Sequence, residues 1–163
     1  MIQNVLIIRN GIPVSVESFG QCHSIDTKSS LFAGFLEAFY RFSVEVSETE
    51  IETVTFKDAL INLKCIENLL FIIISNKEDS QKILASNLEQ IIKLFNNEYS
   101  PEYVEREQNI KKFSPFRKKL LESRIVEETC GLDHCDLCPI LMEEQTVKVV
   151  TSELKIIMNK KII

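Results

Sequence analysis

The order of apolar segments in the first 98 residues is the feature that most limits what this chain can fold into. Two strands, a helix, three more strands and a second helix follow one another with short connections. Short loops between alternating strands predict an antiparallel sheet with the helices packed against it. We therefore predict an α+β fold with a five-stranded antiparallel sheet in the order β-β-α-β-β-β-α. A C-terminal helix and a cysteine-containing tail should follow it.

The strands are marked by two patterns of apolar residues. The segment from Ile2 to Arg9 is almost unbroken, which is typical of a strand buried on both faces. Asn10-Gly11 is a strong hairpin signal, and the next strand alternates between apolar and polar residues. The three later strands are predicted at residues 50–56, 59–66 and 69–74.

The first helix, predicted from Leu31 to Val46, is unusually apolar. One row of apolar residues recurs at helical spacing, and a second row lies beside it, so the apolar arc is wider than one contact with a sheet requires. The first row is Leu31, Phe35, Ala38, Phe39, Phe42 and Val46; the second is Phe32, Leu36 and Tyr40. Either the helix is deeply enclosed by its own domain, or part of the arc is a surface for a partner.

The rest of the chain divides into three parts on this interpretation. A second amphipathic helix, Lys77 to Asn97, should bury Leu84, Leu88, Ile91 and Phe95 and complete a domain at residues 1–98. Residues 99–112 are polar and read as a linker. Residues 113–163 should hold a helix that starts after Ser114-Pro115 and runs to about Glu128, followed by the tail.

The charge distribution excludes some classes of partner. Residues 1–98 hold 8 Lys/Arg against 13 Asp/Glu, a net charge of −5, and residues 99–163 hold 11 of each, a net charge of zero. Nucleic-acid binding is not expected, because phosphate contacts need a clustered positive face. A basic stretch at 111–124 could contact the acidic domain, remain solvated or touch an anionic membrane surface. Any membrane contact should therefore be peripheral. With neither a signal-peptide pattern nor a long apolar run, we expect a cytoplasmic protein.

The tail concentrates three of the five cysteines, at Cys130, Cys135 and Cys138, with His134 between them. Thiolates and imidazole are the ligands of structural zinc, so these four residues form a candidate zinc site. A fourth ligand from Cys22, His23 or Cys65 is an alternative to His134, which is adjacent to Cys135. Free thiols, a Cys–Cys bond, and redox or iron–sulfur chemistry are the competing interpretations.

The strand and helix order over residues 1–98 resembles the longin domain and its relatives in the roadblock/longin superfamily, a longin/profilin-like arrangement. The resemblance lies in Val5 to Val14 as the first hairpin, Leu31 to Phe39 as the first helix, and Phe71 to Ile74 as the last central strand. It covers about three fifths of the chain. A single-domain form would suit an archaeal trafficking system. The tail is not part of the longin pattern.

The resemblance implies a non-enzymatic interaction module for protein binding. Relatives form homo- or heterodimers through a helix face or a sheet edge, and many contact small GTPases or belong to vesicle-trafficking complexes. The contact face would correspond here to Phe32, Leu36, Phe39 and Tyr40. The expected partner is then a small GTPase or another longin or roadblock protein.

Catalytic motifs are missing from the sequence. It holds no P-loop, no G-x-G-x-x-G, no G-x-S-x-G and no H-E-x-x-H, and we predict no catalytic residue. The alternative function is a small metal- or redox-active protein that uses Cys130, Cys135 and Cys138.

Overall fold

The computed structural model describes residues 1–19 and 30–128. Their elements follow the predicted order over the first 98 residues. The elements are β1 Ile2–Arg9, β2 Ile12–Ser18, α1 Ser30–Ser47, β3 Thr53–Thr55, β4 Ala59–Ile66, β5 Leu69–Asn76 and α2 Gln81–Glu98. The order β-β-α-β-β-β-α is thereby confirmed. Strand β3 is shorter than the pattern of alternation predicts, with three residues.

The five strands form one sheet in the order β2-β1-β5-β4-β3, and every neighbouring pair is antiparallel. The predicted α+β fold with a five-stranded antiparallel sheet is confirmed. The central strands β1 and β5 are the ones with unbroken apolar runs, and both are buried along nearly their whole length. An unbroken apolar run therefore indicated the middle of the sheet, as expected for a strand covered on both faces.

Tight turns join the paired strands. Asn10 and Gly11 both adopt positive φ, 51° and 76°, which is the conformation of a two-residue hairpin turn between twisted strands. A similar turn between β4 and β5 places Glu67 at φ 54°. Glycine at position 11 accepts this conformation without steric cost, so the hairpin signal in the sequence was correct.

The two long helices cover opposite faces of the sheet. On one face α1 packs against alternate residues of the strands, and on the other face α2 packs against the residues between them. The first cluster contains Leu6, Ile8, Ala33, Leu36, Tyr40, Ile61, Leu63, Leu70, Ile72 and Ile74. The second contains Val5, Ile7, Leu60, Phe71, Ile73 and the α2 residues Leu84, Leu88, Ile91, Ile92 and Phe95. The predicted buried face of α2 is confirmed by this second cluster.

Residues 99–128 add further elements to the α2 side. They hold α3 Pro101–Arg106, a 3-10 turn Ile110–Phe113 and α4 Phe116–Glu122. Val104, Phe113 and Phe116 are buried in the same cluster as α2, with Phe116 edge-on to Phe95 at 5.1 Å between ring centroids. The stretch expected as a linker thus contains a helix and a turn. The division of the chain at residues 98 and 112 stays a prediction.

The helix α4 ends earlier than the sequence predicts. Its last residue is Glu122 rather than a residue near Glu128, and Arg124 follows with φ 58°. The left-handed conformation stops the helix and lets Val126 turn back into the core. Within residues 1–19 and 30–128, no helix combines the length and apolar character that crossing a bilayer requires.

Candidate functional site

The outer face of α1 carries an exposed stripe of large apolar side chains. Four of them are more than half exposed: Leu31 by 81%, Phe35 by 56%, Phe42 by 61% and Val46 by 65%. Ala38 lies between them and is also exposed. We call Leu31, Phe35, Ala38, Phe39, Phe42 and Val46 the α1 stripe. Contiguous exposed apolar surface of this kind marks interaction sites in soluble proteins.

The structure separates the four residues that the resemblance assigns to partner binding. Leu36 and Tyr40 lie in the core under α1, with 1% and 6% exposure. Phe32 and Phe39 are half-buried at the two edges of the helix. Phe39 stacks on Phe35 with 6.0 Å between ring centroids, so it belongs to the α1 stripe. Partner binding by any of these residues stays a prediction.

The second apolar row of α1, Phe32, Leu36 and Tyr40, packs toward the sheet, and most of the first row faces outward. Two contacts with the β1–β2 turn accompany this packing. The buried carboxylate of Glu37 accepts a hydrogen bond from the Gly11 amide, and a Cβ added at Gly11 would lie only 3.9 Å from the Cα of Gly34.

Among the described residues of α1, charged side chains lie in the middle of the helix and toward its C-terminal end. Arg41 is paired with Glu37 at 2.7 Å, while Glu45 and Glu48 are exposed at the C-terminal end of the helix. The first turn of α1 contains no acidic residue and its last turn no basic residue. Both acidic side chains thus lie where the helix dipole is already negative, which is the unfavourable end for them.

A polar group lies beneath the helix at Tyr40. Burial, together with the neighbouring Cys65 and Glu50, raises the pKa of the Tyr40 hydroxyl well above its usual range. Burial also raises the pKa of the Cys65 thiol, so this residue is a protonated thiol at neutral pH. Neither property favours nucleophilic or metal chemistry at this position.

The predicted zinc ligands lie outside the described residues. This holds for Cys130, His134, Cys135 and Cys138, and also for the alternative ligands Cys22 and His23. In the part of the chain that the structure describes, no three His, Cys, Asp or Glu side chains are grouped as metal ligands. Structural zinc, free thiols and redox chemistry all stay predictions.

The basic residues of α4 are largely paired with acidic residues of the same chain. Arg117 contacts Glu17 at 3.6 Å and Glu128 at 3.7 Å, Lys119 contacts Glu98 at 3.4 Å, and Lys118 contacts Glu122 at 3.6 Å. Of the interpretations of the basic stretch, pairing with the chain's own acidic residues therefore fits the described contacts.

Three comparisons relate this chain to known proteins. The chain matches no protein-family model and no curated protein. Among solved structures, it is similar to a Roadblock/LC7 domain from Streptomyces avermitilis, with 12% identity and a TM-score of 0.47 over 60% of this chain and 84% of that chain. The likeness is weak and carries no information on partners or activity.

Proposed function

We propose that this chain is a non-enzymatic protein–protein interaction module that docks through the α1 stripe, and that the occupant of the stripe is a second copy of the chain. The observation that carries the proposal is the exposure of four large apolar side chains in one line along α1. Water-exposed apolar surface is costly, and a partner that covers it gains the corresponding hydrophobic free energy.

The spacing of the α1 stripe supports a second copy as the occupant. Phe35 and Phe42 lie equally far from the midpoint between Ala38 and Phe39, and so do Leu31 and Val46. A two-fold interface places the same surface on both partners. In an antiparallel helix pair, the spacing of the apolar residues must therefore be the same in both directions along the helix. In such a pair, Phe35 of one copy meets Phe42 of the other, and the small Ala38 lies near the axis.

Charge and area support the same arrangement. Antiparallel pairing brings Glu45 and Glu48 of one copy beside the first turn of α1 in the other, which has no acidic residue of its own and the positive end of the helix dipole. The exposed area of the four large side chains is about 500 Å² per copy, so a pair that covers them fully buries on the order of 1,000 Å², the size of a weak or transient interface.

The direct test compares matched aspartate substitutions by size-exclusion chromatography with light scattering. Phe35→Asp and Phe42→Asp should convert a dimer to a monomer and leave the circular dichroism spectrum unchanged. Ile83→Asp is the control, because Ile83 is equally exposed, by 61%, but lies on α2. Leu36→Asp should instead unfold the chain, since that side chain is in the core.

Two outcomes would contradict the proposal. A parent chain that is monomeric at all concentrations would show that a second copy does not cover the α1 stripe. A dimer that survives Phe35→Asp but dissociates on Ile83→Asp would place the interface on the α2 side of the sheet. Either result is read from the measured mass.

We also propose that the chain binds a different protein, either a small GTPase or a component of a trafficking complex. This proposal is supported only by the resemblance of residues 1–98 to longin and roadblock domains. Isothermal titration with purified small GTPases, loaded with GDP or with a GTP analogue, would measure it. Binding by neither form across a representative set would remove this part of the proposal and leave self-association untouched.

A further inference from the structure

Gly34 is an unusual residue for the interior of a helix. It lies after the first turn of α1, where glycine is destabilising relative to alanine because its backbone loses more freedom on folding. Its φ is not positive; among the described glycines, Gly11 is the one with that conformation. The backbone conformation of α1 therefore does not require a glycine at position 34.

Packing inside the chain does not require this glycine either. A Cβ built at Gly34 meets no other described residue within 4 Å. The β1–β2 turn lies close to the Cα of Gly34, since a Cβ placed on Gly11 would be 3.9 Å from it, but the direction of the Gly34 Cβ is open. Within residues 1–19 and 30–128, a methyl group at position 34 thus has room.

Gly34 adjoins three residues of the α1 stripe on the helix surface. Positions i, i+3, i+4 and i+7 of a helix surround one hole, and here they are Leu31, Gly34, Phe35 and Ala38. Leu31 and Phe35 are large and exposed, whereas Gly34 and Ala38 have little or no side chain. The result is a recess at Gly34 and Ala38 beside a ridge of two large side chains.

The proposed antiparallel pair brings Phe42 of the second copy to the level of this recess. Its two-fold axis passes between Ala38 and Phe39, so Phe42 of one copy is level with Phe35 of the other. Helices that pack side by side insert a side chain of one between four residues of the other. A ring that meets Phe35 on one side needs space on its other side, and Gly34 leaves that space.

We infer that Gly34 is a specificity-determining residue of the α1 stripe, because it opens the recess that receives the Phe42 ring of the second copy. The inference rests on the proposed self-association through this stripe. By two-fold symmetry, each copy supplies one ring and one recess. A methyl group at position 34 displaces the ring or holds the helices apart, although it has room in the isolated chain.

Gly34→Ala should have opposite effects on folding and on association. In a Phe42→Asp background, which is expected to be monomeric, it should raise the urea concentration of unfolding, because alanine favours the helix. In the otherwise unchanged chain, sedimentation equilibrium should show a dimer dissociation constant raised at least about tenfold. Ser86→Ala is the control, since Ser86 is exposed on α2 and this change also favours a helix. Its dissociation constant should equal that of the parent.

Phe42→Leu tests which side chain fills the recess. Leucine is smaller than phenylalanine, so Gly34→Ala should weaken association by a factor at least about threefold smaller with Leu at position 42 than with Phe. An equal factor in the two backgrounds would show that another group fills the recess and would overturn the inference.

The remaining outcomes separate this inference from the proposed function. If Phe35→Asp dissociates the dimer but Gly34→Ala leaves its dissociation constant unchanged or lowers it, the inference fails and the proposed function stands. The same holds if Gly34→Ala lowers stability in the Phe42→Asp background, because the fold itself would then need the glycine. A parent chain that stays monomeric would overturn both.

Discussion

Glu17 shows how burial and pairing compete at a single residue. Its side chain on β2 is 13% exposed and lies 3.6 Å from Arg117, yet burial outweighs the cation and raises its pKa above 4.5. A raised pKa in the folded state means that the folded chain binds the proton more tightly than the unfolded chain. The stabilising contribution is then complete below pH 4.5 and is lost as the pH rises through the folded pKa.

Glu17→Gln should therefore reduce the change in the free energy of unfolding with pH in this range. We expect its free energy of unfolding at neutral pH to equal or exceed that of the parent, although an ion pair is removed. Urea unfolding between pH 4 and pH 7 measures the difference. A variant that is clearly less stable than the parent at neutral pH would show that Arg117 dominates and that the folded pKa is not raised.

Tyr99 has a buried hydroxyl that makes no hydrogen bond to another described residue. The residue is 8% exposed, its ring packs on Phe95 at 4.9 Å, and its hydroxyl has no hydrogen-bond partner within the described ranges. Tyr99→Phe keeps the ring contacts and removes the hydroxyl. We expect the free energy of unfolding to stay constant or rise by about 1 kcal/mol in urea titrations. A loss of similar size would mean that the hydroxyl has a partner elsewhere in the chain.

At the residue scale, the sequence predicts burial better than it predicts orientation. The pattern of α2 identified Leu84, Leu88, Ile91 and Phe95 because only one apolar row exists there. On α1 two rows exist, and apolar spacing alone does not tell which of them packs on the sheet.

A polar contact joins α1 to the first hairpin beside the apolar packing of the helix on the sheet. Glu37 is 5% exposed and accepts from Gly11, while Arg41, whose side chain is 58% exposed, donates to it. Glu37→Ala should lower the free energy of unfolding by about 1.5–3 kcal/mol, because the partly buried amide of Gly11 loses a charged acceptor. Arg41→Ala should cost less than about 1 kcal/mol, because its charge is near water. Urea titrations of both variants check the ranking, and equal costs would contradict it.

Arg117 joins α4 to the end of β2. Its guanidinium donates to the Ser18 carbonyl at 2.8 Å and lies 4.7 Å from the centre of the Phe19 ring, in addition to its carboxylate contacts. Arg117→Ala should speed amide hydrogen exchange in α4 by about tenfold while leaving exchange in β1 and β5 unchanged. Lys118→Ala is the control, since that side chain is 81% exposed. Equal exchange in the two variants would show that α4 is held by its apolar face alone.

At the element scale, strands and turns were predictable from the sequence and the packing of residues 99–128 was not. Apolar runs, alternation and Asn10-Gly11 are local signals, and they gave the correct order of elements. The predicted linker, residues 99–112, holds only two buried residues, Tyr99 and Val104, in an otherwise polar sequence. Both are buried in a cluster that includes residues of β1, β2 and β5, which are distant in the chain.

At the scale of the whole molecule, the two sides of the sheet differ in how fully the helices on them bury their apolar residues. The α2 side buries a large aromatic cluster under α3 and α4, while the outer face of α1 leaves its large apolar side chains in water. We propose that the chain associates through this exposed side of α1.

Isotope-filtered nuclear Overhauser spectroscopy on a mixture of labelled and unlabelled chains tests the central claim most directly. The antiparallel arrangement of the α1 stripe predicts intermolecular contacts between Phe35 of one copy and Phe42 of the other, and between Leu31 and Val46. Those contacts should vanish in Phe35→Asp. Intermolecular contacts confined to the strands or to α2, or none at all in a chain that stays monomeric at high concentration, would contradict the account.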